Sequence, residues 1–211
     1  MRNISLSLAL TVSIIVTACS STTERSRTLG DPNVSGKTIA QQVCSTCHGV
    51  NGNSVSPQYP KLAGQSEEYV MAQLKSFENH LRTDRLAIEI MSGMSRDISA
   101  QQAKDIAEYF SIQTLIKDVK KTSVNVSKGK DIFENGILDR GITACATCHG
   151  PEAKGQFAYP RLAGQHKEYL VKQLHVFKET QGRPNTPMEF VIKNLSEKEI
   201  DQVSTYLSIL D

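Results

Sequence analysis

Cys44-Ser45-Thr46-Cys47-His48 and Cys145-Ala146-Thr147-Cys148-His149 repeat one pattern, Cys-x-x-Cys-His. Two cysteines three apart can add to both vinyl groups of one porphyrin, and a histidine directly after the second meets the iron from the same side. This is the spacing of c-type haem attachment. Zinc pairs and redox dithiols also use Cys-x-x-Cys, but neither requires the adjacent histidine, and here it occurs twice. The chain is therefore expected to carry two covalently bound haem c groups, with His48 and His149 as proximal iron ligands.

One histidine leaves the far side of the iron open, and the sixth ligand decides between electron transfer and chemistry at the metal. An internal repeat selects it. Tyr59-Pro60-Lys61-Leu62-Ala63-Gly64-Gln65 recurs as Tyr159-Pro160-Arg161-Leu162-Ala163-Gly164-Gln165; Glu68-Tyr69, Gln73-Leu74 and Phe77 recur as Glu168-Tyr169, Gln173-Leu174 and Phe177. Further on, Ile98-Ser99 matches Leu195-Ser196, and all six tyrosines fall into three matched pairs. Met188, the second half's lone methionine, lies seven residues before Leu195, and Met91 lies seven before Ile98. Met71 and Met94 have no partner in register, so Met91 and Met188 are the axial candidates. Thioether is a soft ligand that raises a haem's potential. His80, His166 and His175 occupy unmatched positions and are expected on helix surfaces or in solvent.

A histidine bound to iron through one nitrogen needs an acceptor for its other N–H. The backbone carbonyl of Pro60 or Pro160, shortly after each motif, would serve, with Leu62 and Leu162 then packed against the ring. The alternative is that the Pro-x-Leu-Ala-Gly segments are only turns before the next helix. Tyr59 and Tyr159 are assigned to propionates, to the opposite domain or to core packing.

These groups must be positioned by short helices. Residues 36–43 lead into the first motif with Ile39 and Val43 on one face; their counterpart from Gly129 is followed by an insertion in which Gly136 and Gly141 break the helix. Segments 67–77 and 168–178 carry apolar residues at helical intervals. Ser99 and Ser196 are N-cap candidates for amphipathic terminal helices. A domain of about 80 residues buries little apolar area alone, so each haem would supply much of its core and the apo-domains would be largely unfolded.

Residues 1–18 combine Arg2 with a short apolar run and read as a secretory signal rather than a membrane span. Val16-Thr17-Ala18-Cys19 has the form of a lipobox, making Cys19 the lipidated first mature residue; an ordinary cleavage leaving Cys19 free is the alternative. Lipid chains contribute about 0.8 kcal/mol per buried CH₂, which would hold the protein at a membrane surface. Residues 19–35 would form a flexible tether, 36–114 the first domain, 115–126 a linker and 127–211 the second domain. Of five cysteines, four go to haem and one to lipid, so none remains for a disulfide. The formal charge of +2 loses Arg2 with the signal and gains four propionates, and neither half has a run of lysines. Nucleic acid is excluded as a partner.

With both Cys-x-x-Cys-His-Gly motifs, both Pro-x-Leu-Ala-Gly-Gln segments, Met91 in Met-Ser-Gly-Met and the Ile-Ser and Leu-Ser helix starts, the chain resembles the dihaem cytochrome c4 family from about residue 36 to 210. The resemblance implies an all-α fold of two tandem cytochrome c-like domains, each wrapped around one haem with His/Met ligation, related by a pseudo-twofold axis with propionates facing across the interface. It further implies a periplasmic electron shuttle between a cytochrome bc1-type donor and a terminal oxidase or reductase, at the membrane face. The lipobox departs from the family's general pattern, and the shorter Thr186-Pro187-Met188 setting departs from that of Met91. Two other readings stand beside it: a dihaem peroxidase-like enzyme with a switchable sixth site, and the electron-entry subunit of a membrane complex.

Overall fold

The computed structural model describes residues 27–117, 125–179, 182–183 and 186–211. Cys19, its lipobox and the signal segment lie outside the described residues. Within them the fold is helical, with two isolated bridges, Ile137 with Ile142 and Gln156 with Tyr159, and no strand. The first half runs through α1 (Gly36–Ile39), a π-helical stretch (Ala40–Cys44), α2 (Ser45–His48), α3 (Glu67–Glu78), a second π stretch (Ala87–Met91), α4 (Ser92–Ser95) and α5 (Ala100–Ser111). The second runs through α6 (Ser127–Asn135), a 3₁₀ turn (Leu138–Arg140), α7 (Ala146–His149), α8 (Lys167–Lys178), α9 (Met188–Ile192) and α10 (Glu197–Ile209).

Helix starts follow the local chemistry. Ser99 and Ser196 each cap their helix in a reciprocal box, the serine oxygen accepting from the N3 backbone while Gln102 or Glu199 reaches back to the cap. Ser66 caps α3 by accepting from the Tyr69 N–H. His166 takes the equivalent place in α8 but gives no side-chain cap.

Each half folds by crossing its first helix over its last. α1 packs on α5 and α6 on α10, and the crossings work because Gly36 and Gly129 present bare backbone to the last helix. A Cβ on Gly36 would lie 2.2 Å from the Gln102 carbonyl oxygen, and one on Gly129 would lie 2.1 Å from that of Gln202. Around the crossings lie two separate apolar cores. One gathers Ile39, Val70, Ile106 and Phe110, the other Ile132, Phe133, Leu170, Ile192, Ile200 and Leu207. In the second half Gly136 (φ 71°) stops α6 and Gly141 (φ 69°) closes the turn that follows, which a residue with a side chain would adopt only under strain.

The two halves meet through matched residues. Gln165 accepts from the Lys61 N–H (2.9 Å) and donates to the Lys61 carbonyl (2.9 Å). Gln65 does the same at Arg161, accepting at 2.6 Å and donating at 3.1 Å. Each glutamine thus completes a backbone unit of the opposite half. Gln165→Ala removes both of its bonds to the buried Lys61 peptide, and losing the partner of a buried polar group costs about 1–3 kcal/mol. We expect a loss of about 2 kcal/mol in urea unfolding of the holoprotein, with the two halves separating into distinct transitions; a single unshifted transition would contradict this.

Three expectations are corrected. His166 is not on the surface: it is 3% exposed, and its Nε2 donates to the Ser54 carbonyl of the first half at 2.9 Å. The reason lies across the seam, where that carbonyl needs a donor that a serine at position 166 would be too short to supply. The stretch read as a tether is docked at its end, since Gln102 donates to the carbonyls of Asp31 and Val34 and Val34 joins the first core. The linker begins docked as well: Lys61 donates to the Ile116 carbonyl at 2.7 Å, and the Ile116 N–H donates to Asn53 at 2.7 Å.

Candidate haem sites

Cys44, Cys47 and His48 lie on one continuous helical run, with Cys44 the last residue of a π stretch and the other two in α2. A π turn carries one extra residue, which rotates the motif relative to α1. In the second half no π stretch precedes the motif; the inserted turn after Gly136 brings Cys145 to the start of α7 instead. The two halves reach one arrangement by different backbone routes.

Each histidine is buried and oriented. His48 Nδ1–H donates to the Pro60 carbonyl at 2.9 Å, and His149 Nδ1–H donates to the Pro160 carbonyl at 2.9 Å. These bonds fix the tautomer and leave Nε2 to face a metal. Burial pulls both imidazoles below their ordinary pKa, more than the proline carbonyls raise it, so both stay neutral, the form that ligates iron. Tyr59 stands edge-on to His48 and Tyr159 edge-on to His149, with ring centroids 6.2 Å apart in each pair. Each tyrosine therefore braces the histidine of its own half. Leu62 and Leu162 pack at the edges of the two cores.

Cys44 and Cys145 pack against the two apolar cores, and all four cysteines in the described residues are unbridged. Burial pushes the Cys44 thiol up to about 12 and that of Cys145 to about 11. Among the described residues no group of three or more metal-ligating side chains gathers elsewhere. The residues present fit a covalently held haem.

Met91 closes the Ala87–Met91 π stretch, and Met188 opens α9, its N–H donating to the Thr186 hydroxyl at 3.2 Å. Both are half-buried, and Met188 packs against the second core.

A family profile described as cytochrome c matches residues 34–113 and again 126–211. Cytochrome c4 of Azotobacter vinelandii is 36% identical over 176 residues, covering 78% of this chain and 83% of its own. The chain belongs to the dihaem cytochrome c4 family. The crystal structure of reduced cytochrome c4 from Pseudomonas stutzeri superposes with a TM-score of 0.73 at 37% identity, over 83% of this chain and 97% of that one. A thiosulfate dehydrogenase electron acceptor from Thiomonas intermedia is 31% identical over 78% of this chain and 77% of its own. Like other members of the cytochrome c4 family, the chain is an all-α c-type cytochrome that carries electrons on two covalently bound haem c groups.

Sequence reading alone missed the residues that join the two sites. Gln65, Gln165, Gln73 and Gln173 stood out as matched pairs, yet their reach into the opposite half does not show in a repeat. Arg82 and Arg183 were passed over entirely, because they follow the matched phenylalanines by five and six residues and so fall out of register.

Proposed function

We propose that this protein is a lipid-anchored periplasmic electron shuttle in which both irons have six ligands, His48 and Met91 in the first half and His149 and Met188 in the second. The observation that carries this reading is the pair of buried histidines, each bonded to a proline carbonyl through Nδ1, in two halves that also place a methionine eight residues before the serine cap of the last helix. Haem c supplies a one-electron ferric–ferrous couple when bound. The chain's own part is to hold the ligands so that little rearranges between the two states, to keep water from the metal and to keep the proximal imidazoles neutral. Attachment through Cys19 would keep it beside membrane redox proteins, and among the described residues no helix is long and apolar enough to cross a membrane.

Partners follow from this role: a cytochrome bc1-type donor and a terminal oxidase or reductase as acceptor in a respiratory chain, met through small transient interfaces. The Thiomonas relative's name favours a second reading of the donor side, in which an enzyme oxidising thiosulfate delivers the electrons. Visible and magnetic spectroscopy of the purified holoprotein tests the ligation. The expected result is a sulfur-to-iron charge-transfer band from both ferric haems and no ready binding of CO to the ferrous protein. A high-spin haem that turns over peroxide would instead establish the peroxidase-like enzyme, and firm co-purification with a membrane complex would establish the electron-entry subunit.

A further inference from the structure

Each proximal histidine is bonded to a peptide group that the opposite half grips at its other end. The Pro60 carbonyl accepts from His48 Nδ1–H at 2.9 Å, and the N–H of the same amide, on Lys61, donates to Gln165 Oε1 at 2.9 Å. In the second half the Pro160 carbonyl accepts from His149 Nδ1–H at 2.9 Å, and the N–H of that amide, on Arg161, donates to Gln65 Oε1 at 2.6 Å. Two chains of hydrogen bonds therefore cross the seam. One runs from Gln165 through the Pro60–Lys61 amide to His48, the other from Gln65 through the Pro160–Arg161 amide to His149.

Both chains are shielded from water at their two ends. Gln65 and Gln165 are 5% and 7% exposed, and His48 and His149 are 7% and 5% exposed. Each glutamine amide is also fixed in rotation. Its NH₂ donates to the carbonyl of the residue it grips, at 2.9 Å on Lys61 and 3.1 Å on Arg161. Its Oε1 accepts a further bond from the next backbone N–H of its own half, from Ser66 at 3.3 Å or His166 at 3.1 Å. Glutamines that served only to fasten the halves could bond any peptide along the seam. These two select, in each half, the one amide whose carbonyl receives the histidine.

We propose that Gln65 and Gln165 are positioning residues for electron transfer, each tuning the haem of the opposite half through the amide that accepts from its proximal histidine. The proposal rests on the six-coordinate carrier reading above, in which His48 and His149 hold the irons. Hydrogen bonds in a chain polarise one another, so an amide whose N–H is bonded accepts more strongly at its carbonyl. A stronger acceptor at Nδ1–H makes the imidazole a more basic ligand, and a more basic ligand favours the ferric iron. Each glutamine thus lowers the potential of the haem in the half to which it does not belong. Docking of the halves and tuning of both irons become one event.

The test uses the full-length holoprotein with Gln165→Leu and Gln65→Leu, apolar replacements of similar size that offer no acceptor. Two quantities are read: the midpoint potential of each haem, assigned by the low-spin signal lost in Met91→Ala, and the Nδ1–H proton resonance of each proximal histidine in the diamagnetic ferrous protein. The expected pattern is crossed. Gln165→Leu should move the His48 ring proton upfield and raise the midpoint of the first half, with His149 and the second haem at their wild-type values; Gln65→Leu should do the mirror image. Gln165→Glu keeps an acceptor for the Lys61 N–H and should hold the His48 ring proton at its wild-type position or further downfield. A shift confined to the glutamine's own half, an equal shift at both haems, or unmoved ring protons would overturn the proposal. Where a leucine variant fails to fold, Gln165→Glu decides alone, since an upfield His48 ring proton in that protein also overturns it. Absence of the sulfur-to-iron charge-transfer band from the wild type would sink the carrier reading instead, and is read independently of the ring protons.

Discussion

Met188→Ala should convert the haem of the second half from low-spin to high-spin, open it to CO and lower its midpoint potential by a few tenths of a volt, a sizeable part of the roughly 0.8 V that axial ligands span. Met91→Ala should do the same to the first half and leave the second unchanged. Thioether stabilises the ferrous iron relative to water or hydroxide, so its removal acts on the potential as well as the spin state. The two methionines sit in different local structures, one ending a π stretch and the other opening α9 behind Pro187. What they share is the distance forward, seven residues to Ile98 or Leu195 and then a serine cap. Leu195 is buried in its core, and Ile98 packs against the other. Each methionine is therefore positioned from its C-terminal side, by the start of the last helix. Met71→Ala and Met94→Ala are the controls and should leave both low-spin signals in place. Retention of both signals by Met188→Ala would show that another residue holds the second iron, with His175 the first to examine.

That forward anchoring was legible in the sequence because it rests on local rules. Ser99 with Gln102 and Ser196 with Glu199 are capping boxes that can be read from four residues, and Cys-x-x-Cys-His can be read from five. The repeat extended this to the whole architecture, since two halves with matched tyrosines, prolines and glutamines must share one fold. What could not be read depends on tertiary contact. The π stretches before Cys44 and at Met91 leave no mark in the apolar spacing, which differs by a single residue from that of an α-helix. His166 reads as a surface residue because the repeat sets it against Ser66 with no matching histidine, whereas its burial comes from the opposite half and the Ser54 carbonyl. The crossed arginines follow the same logic. Arg82 and Arg183 each donate to both Gln73 and Gln173, and such pairing across the seam has no signature along the sequence.

Gly129→Ala should disable the second half while sparing the first, and Gly36→Ala should do the converse. Alanine is the better helix former by about 1 kcal/mol, so propensity alone predicts stabilisation of α1 and α6. Contact decides otherwise. The added Cβ at 129 would lie 2.1 Å from the Gln202 carbonyl oxygen and 2.8 Å from the Tyr206 Cβ; at 36 it would lie 2.2 Å from the Gln102 oxygen and 2.6 Å from the Asp105 Cβ. The obstructing oxygens belong to the capped first turn of α5 and the middle of α10, whose backbones cannot shift without breaking helix or cap hydrogen bonds, so the helices must separate. Overpacking a core typically costs about 1–3 kcal/mol. Here a rigid main chain takes the place of a side chain that could turn aside, and the net loss should reach about 3 kcal/mol or more. That is a large part of the roughly 5–15 kcal/mol that holds a whole domain folded. Separation of α6 from α10 also withdraws support from the helix start that positions Met188, so the thermal transition and the second haem's low-spin signal should fail together. Urea unfolding followed in the Soret region, with limited proteolysis to identify the surviving half, measures both. A Gly129→Ala protein within 1 kcal/mol of the wild type would mean that the crossing of α6 over α10 is looser than described, and that the ligand is held by something other than the close approach of these two helices.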